Sequence, residues 1–389
     1  MDHYNNLIKT NILFGDNEEN SVGRQIKYQG GSRVLLYYSK TSSKISNLID
    51  KVKRSLKNSG LEVVEHLFND SDLINCISDG IKLCTNENVD YVLIVGGAKL
   101  FSSGKIIAAA SAHSKNLFEL FKLDSDVEIS LPVGIISTTI CGGLALDNIV
   151  SLQRKLDDNT SVYHECRSDI FYPEFVIYSS QLCQYDNVSL EYSLVRIFSI
   201  MTERFFSNNK AQLLSENTVL VMLKTVLASY EKVKEKSNDA QGLSNLIFAS
   251  INAHINPMFN ITIDSATRTL SNAVVSVFSI PLEHAFSLVI PSWFTFMRTK
   301  NSAKLASYGR GIFDLPSDLD DYEVAKLTIE RVKKFFADLS LPVMWSEIGA
   351  NASDIDRILF KAGFPEINSI GTFEKLSKLD CEVLLSFAI

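Results

Sequence analysis

The chain has 389 residues, 46% of them hydrophobic and 21% charged, with a net charge of −7. That length exceeds one ordinary compact core and predicts two domains. The acidic balance argues against a nucleic-acid partner, which would need a basic stripe to neutralise phosphates. No basic, apolar, small-residue leader opens the chain, so a cytoplasmic protein is expected. The most apolar stretch, 272–297, is interrupted by Pro281, Glu283, His284 and Pro291. It reads as buried helices, because a membrane span needs roughly 20 nearly uninterrupted apolar residues. The six cysteines (Cys76, Cys84, Cys141, Cys166, Cys183 and Cys381) show no close metal-type pairs and read as scattered reduced thiols.

In chain order, 33–38 is a short β-type run, followed by a helical segment over 46–59 with Leu48, Ile49, Val52 and Leu56 at core spacing. Gly60 is placed to stop it. A second strand is expected over 61–67 and a second helix over 72–86. The third strand, 91–95, is apolar throughout, as befits a strand buried on both faces of a parallel sheet. A helix over 102–113 and a fourth strand over 132–137 follow. This alternation implies βαβ units with the ligand site at the strand ends. Beyond about residue 180, long amphipathic stretches take over, at 189–206, 216–234, 241–254, 266–278, 322–339 and 353–362. The fold class expected is therefore α/β plus all-α, with a Rossmann-like parallel-sheet domain over 1–180 and a helical domain over 181–389.

The sharpest local feature is the turn Gly96-Gly97-Ala98-Lys99, between a buried strand and a helix. Glycines there let backbone approach a pyrophosphate, and a helix N-terminus offers free N–H groups and partial positive charge. A plain tight turn is the competing reading. Thr138 and Thr139 end the next strand, where their hydroxyls either reach a nucleotide or cap the strand.

The order of features resembles the iron-dependent alcohol dehydrogenase superfamily, its butanol-dehydrogenase-like branch in particular, whose fold is the dehydroquinate-synthase-like one. Residues 10–15 (Thr-Asn-Ile-Leu-Phe-Gly) are similar to its opening strand and turn. Residues 96–105 are similar to its Gly-Gly-Gly-Ser-x-x-Asp-x-x-Lys cofactor loop, and 131–139 to its strand ending in a threonine pair. Leu288 to Pro291, the Phe335-Phe336 pair and Leu341-Pro342 match later segments.

The resemblance implies an NAD(P) cofactor held by Ser39, Lys40, Ser42, Gly96, Gly97, Ala98, Lys99, Ser102, Lys105, Thr138 and Thr139. Within that loop Ala98 replaces the third glycine, Lys99 the serine and Ser102 the aspartate, while Lys105 remains. No acid follows the first strand to hold a ribose 2′-hydroxyl, and Lys40 tolerates a 2′-phosphate, so NADP is preferred over NAD. The family's divalent metal is held by an Asp-x-x-x-His helix and two later histidines. Those positions fall on Arg196, Ile200, Asn272 and Leu282, so no metal is expected; His254 and His284 do not rebuild the site.

Without the Lewis acid, Arg196 is the candidate to face an oxyanion, with His284 as an assisting acid. Pairing of Arg196 with Glu203 or Asp264 is the structural alternative. Three readings compete: a metal-independent NAD(P)H-linked alcohol dehydrogenase or aldehyde reductase, a non-catalytic relative keeping the fold, and a lyase of the dehydroquinate-synthase type. A small-molecule substrate in an interdomain cleft and a homodimer contacting near the N-terminal strand complete the expectation.

Overall fold

The computed structural model describes residues 9–39, 43–113, 128–155, 161–185, 188–208, 212–255 and 263–387. Its first part runs β1 (Asn11–Phe14), α1 (Val22–Tyr28), β2 (Arg33–Tyr38), α2 (Ser43–Asn58), β3 (Glu62–Leu67), α3 (Leu73–Asn86), β4 (Tyr91–Gly96), α4 (Ala98–His113) and β5 (Val133–Ser137). A separate two-stranded pair, β6 (Ile149–Lys155) and β7 (Ser161–Arg167), precedes β8 (Phe175–Tyr178). Six strands form one sheet in the order β1-β8-β5-β4-β2-β3, every pairing parallel. Strands β4, β5 and β8 are buried along their whole length, which is why they are written in Val, Ile, Leu and aromatic residues without alternation. The edge strands β1 and β3 leave every second or third residue exposed.

The expected α/β half is confirmed, with additions. Strand β8 has only four residues, too short to show a period, and the opening strand β1 was legible only through the family resemblance. Helix α4 starts at Ala98 rather than Ser102, so Lys99 belongs to its first turn.

The remaining helices are α5 (Val188–Phe205), α6 (Gln212–Glu235), α7 (Ala240–Ile255), α8 (Ala266–Phe278), α9 (Leu282–Lys300), α10 (Ser302–Phe313), α11 (Asp321–Asp338), α12 (Ile355–Lys361) and α13 (Lys378–Ser386). The apolar stretch at 272–297 is indeed two helices, parted by left-handed Ser279 and by Pro281. Among the described residues, no helix is long and apolar enough to cross a membrane. By contacts the chain forms two compact units. One comprises Met1–Arg154, Tyr163–Leu190 and Ser229–Asn256; the other comprises Lys155–Val162, Glu191–Ala228 and Pro257–Ile389. In the second unit an aromatic core gathers around Phe206, whose ring centroid lies 4.9 Å from Trp293, 5.1 Å from Phe205 and 5.4 Å from Tyr308.

Helix α7, though late in the chain, belongs to the unit holding the sheet. The reason is a close backbone approach: Gly143 N donates to Ser250 Oγ at 3.0 Å, and a Cβ at Gly143 would overlap the Ser250 carbonyl oxygen. Gly143→Ala must therefore push two backbones apart. We expect it to cost about 1–3 kcal/mol, the scale of overpacking, read as a lower urea midpoint at unchanged slope.

Candidate functional site

Strand β2 leads through α2 to β3 on one side, whereas β4, β5 and β8 follow one another on the other side. Such a reversal of direction opens a crevice at the carboxyl ends of the two strands that flank it. Here those strands are β2 and β4, in register with Tyr38 opposite Val95. Gly96 and Gly97 stand at that end of β4, and Thr138 N donates to Gly96 O at 2.9 Å, joining the threonine pair to the glycine turn. A Cβ at Gly96 would crowd Leu100 at 2.9 Å, so this glycine serves the turn itself. A Cβ at Gly97 would meet nothing nearer than Thr139 at 3.8 Å, so the backbone there is open to a ligand. Immediately after it, the first-turn N–H groups of α4 have no acceptor within the helix and sit at its positive end.

The other expected cofactor residues are arranged around this turn. Ser39 follows β2 and is half-buried, as is Ser102 on α4; Lys40 and Ser42 lie outside the described residues. Lys99 is exposed and pairs with Asp70 at 2.7 Å, which balances its charge.

Lys105 has a different setting from the one the family resemblance implied. It is fully buried, and its ammonium donates to the carbonyls of Ala145 at 2.8 Å and Asp147 at 2.7 Å. The Asp147 carboxylate is 2.7 Å from His254 Nδ1, on α7. Lysine, aspartate and histidine thus secure the backbone that follows β5. Neither Asp147 nor its bond to His254 had a signal in the sequence, since the partners are 107 residues apart.

Burial pushes Lys105 down to about 8, against the opposing pull of Asp147. A lysine whose folded pKa lies below its unfolded one holds its proton less tightly when folded. Its contribution to stability therefore rises as pH climbs from about 8 towards the unfolded value near 10.4. Unfolding free energies of wild type and Lys105→Met should diverge with pH across that window, with the wild type gaining. Parallel curves would show that Lys105 is not desolvated.

In the second unit, Arg196 and Ile200 lie on α5, Asn272 on α8 and Leu282 on α9. Arg196 Nε is ion-paired with the buried carboxylate of Glu283. Pairing with Glu203 or Asp264, the alternative from sequence, is replaced by this contact. Glu203 is buried and taken by Arg268 at 2.8 Å and Thr267 at 3.2 Å. Asp264 accepts from Thr372 N at 2.7 Å and is pushed up to about 6, chiefly by burial. His284 Nε2 lies 3.1 Å from the Tyr192 hydroxyl, and burial holds its pKa below the usual imidazole value, Glu283 opposing. His284 also lines a cavity of about 470 Å³ with Leu341, Pro342, Val343, Glu347 and Ile348. Among the described residues, no group of three or more His, Cys, Asp or Glu side chains is placed to hold a metal ion.

Known proteins place this architecture. The chain is 24% identical over 384 residues to NADH-dependent butanol dehydrogenase A of Clostridium acetobutylicum, covering 97% of this chain and 96% of that one. It is 22% identical over 368 residues to an NADPH-dependent aldehyde reductase of Escherichia coli, covering 93% of each. The crystal structure of NADH-dependent butanol dehydrogenase A from Thermotoga maritima shares the fold, with a TM-score of 0.88 at 22% identity over 100% of this chain and 99% of that chain. The model of the iron-containing alcohol dehydrogenase domain matches residues 9–180, and the C-terminal model of the Fe-containing alcohol dehydrogenase family matches 192–389. Matched over both halves, the chain belongs to the iron-containing alcohol dehydrogenase family, with its Rossmann-like sheet followed by the helical C-terminal domain.

Proposed function

We propose that the chain is an NADP-dependent reductase of aldehydes that works without a bound metal. The observation that carries the nucleotide half is the open backbone at Gly97, at the switch point of the sheet and the head of α4. Gly96, Gly97 and Ala98 take the pyrophosphate on backbone N–H groups. Thr138 and Thr139 flank it just after β5, Ser102 from α4 and Ser39 from the end of β2; Lys40 and Ser42, outside the described residues, join the proposed set by their place in the sequence. Lys99 adds its charge, shared with Asp70. Lys105 acts one step removed, by fixing the backbone at 145–147. The reduced dinucleotide supplies the hydride. The related E. coli enzyme is by name NADPH-dependent and the Clostridium enzyme NADH-dependent, so the cofactor must be decided on this chain. Lys40 beside hydroxyl neighbours, with no acid, favours the 2′-phosphate. Lys40→Glu should weaken NADPH by roughly tenfold or more in calorimetry, the scale of one charge-assisted contact, and leave NADH nearly unchanged. Equal effects on both would remove Lys40 from the site.

The donor set at the family's metal positions does not suit a divalent cation. Arg196 is itself cationic, Ile200 and Leu282 carry no donor atom, and Asn272 offers only an amide. In this reading the Arg196 guanidinium, held by Glu283, polarises the substrate oxygen, and His284 beside Tyr192 delivers the proton. Aldehyde-dependent NADPH oxidation should then survive chelation and gain nothing from added Fe²⁺ or Zn²⁺. One iron or zinc per chain, lost together with activity on chelation, would overturn the metal-free reading. Failure to bind either dinucleotide would instead favour the non-catalytic relative.

Because burial lowers the His284 pKa, its proton-donating form is lost as pH rises through a value below about 6.5. kcat/KM should therefore fall as pH rises through a midpoint below about 6.5, and His284→Gln should flatten the profile. A homodimer is part of the same proposal, supported by β1, which among the described residues is an edge strand paired with β8 alone; sedimentation equilibrium decides it.

A further inference from the structure

A second cluster of reactive groups, with no part in the reading above, joins β2, β3, α3 and α4. Cys76, in the first turn of α3, is 7% exposed. Its Sγ lies 3.6 Å from His66 Nε2, 3.7 Å from the Tyr37 hydroxyl and 3.4 Å from the Leu67 carbonyl. His66 Nε2 is also 2.8 Å from the Cys76 carbonyl oxygen, which fixes the ring edge toward the sulfur. The imidazole stacks on Tyr37, with centroids 5.3 Å apart and planes 15° apart. The Tyr37 hydroxyl in turn lies 3.1 Å from Ser103 Oγ on α4. The sulfur therefore has an imidazole and a phenol directed at it.

Four of the other thiols are differently placed. Burial pushes Cys84 up to about 11 and Cys183 and Cys381 up to about 12. Burial also raises Cys166. At Cys76 burial acts the same way, yet the bonds to His66 and Tyr37 outweigh it and the thiol ends below its ordinary value. His66 moves in the complementary direction: burial opposes its charge, but Cys76 and the nearby Asp79 raise it. Asp79 is itself paired with Lys82 at 3.2 Å.

We propose that Cys76 is a peroxide-reactive thiol, with the His66 Nε2–H and the Tyr37 hydroxyl as hydrogen-bond donors to the sulfur. At rest the Leu67 carbonyl accepts the thiol proton; releasing it to solvent yields the thiolate, which the His66 Nε2–H and the Tyr37 hydroxyl stabilise. The thiolate attacks one oxygen of hydrogen peroxide: an S–O bond forms and the O–O bond breaks. The departing hydroxide takes up from solvent the proton that the thiol released and leaves as water. Sulfur is oxidised by two electrons, the peroxide is reduced, and the product is Cys76 sulfenic acid. Hydrogen peroxide is small enough for a thiol this enclosed, where bulkier alkylating reagents are hindered.

The test is sulfenic-acid trapping on the full chain, oxidised native with limited peroxide and then denatured in the presence of dimedone so that trapping does not depend on access, read by peptide mass spectrometry. Cys76 should be labelled roughly tenfold or more faster than Cys84, Cys183 and Cys381. His66→Gln and Tyr37→Phe, checked for unchanged melting, should each slow labelling several-fold at pH 7. His66→Gln should also move the pH dependence of labelling upward. Labelling of Cys76 no faster than of the buried thiols, or a rate indifferent to both substitutions, overturns the proposal. If His66→Gln unfolds the chain, Tyr37→Phe, which keeps the ring stack, decides it alone. Neither dinucleotide binding nor aldehyde turnover enters the readout, so this proposal stands or falls separately from the reductase reading.

Discussion

Strands β4, β5 and β8 are buried on both faces, and a strand so enclosed can present polar chemistry only at its ends. Because all the pairings are parallel, the carboxyl ends fall on one edge of the sheet, and the loops leaving them share one rim. The glycine turn, the threonine pair and Ser39 at the end of β2 share that rim by the same constraint, although Ser39 and Thr138 are about a hundred residues apart. The same constraint explains why Gly97 is a glycine. It stands where backbone must face outward and where the next turn of chain begins a helix.

A buried charge needs partners, and Lys105 shows how this chain provides them. Its ammonium is met by two carbonyls of the segment after β5, and the Asp147 side chain there is in turn bonded to His254. With the Gly143–Ser250 approach, these bonds hold α7 against the loop that borders the crevice. The lysine at position 105 is thus a fastening for backbone, and N–H groups and hydroxyls are what the rim of the crevice offers.

In the second unit two buried carboxylates are each matched by a guanidinium, Glu283 by Arg196 and Glu203 by Arg268. Removing one member of such a pair strands the other in a poorly solvated place, which costs about 3–5 kcal/mol. The family's fold is compatible with this arrangement because the helices are held by apolar and aromatic packing that does not depend on the charges. Identity near 24% is sufficient to keep that packing, and chemistry at particular positions is free to differ.

Periodicity and punctuation in the sequence were enough to read β2, β4 and α2, because each is built from contacts within a few residues along the chain. The order of motifs was enough to read the family and the crevice, since a glycine turn after an apolar strand carries its own physical reason. Strand β8 escaped because four residues have no period, and the start of α4 was placed late because Ala98 and Lys99 carry no start signal. The partner of Arg196 was misread because helical spacing proposes neighbours on one helix, and the actual partner lies 87 residues away on another. The fastening of Lys105 and the imidazole beside Cys76 have the same origin. Local pattern determined which elements form and which edge of the sheet is chemically open. Tertiary packing alone decided which charge meets which, because a buried group pairs with whatever the fold brings within about 3 Å and not with what precedes it in sequence.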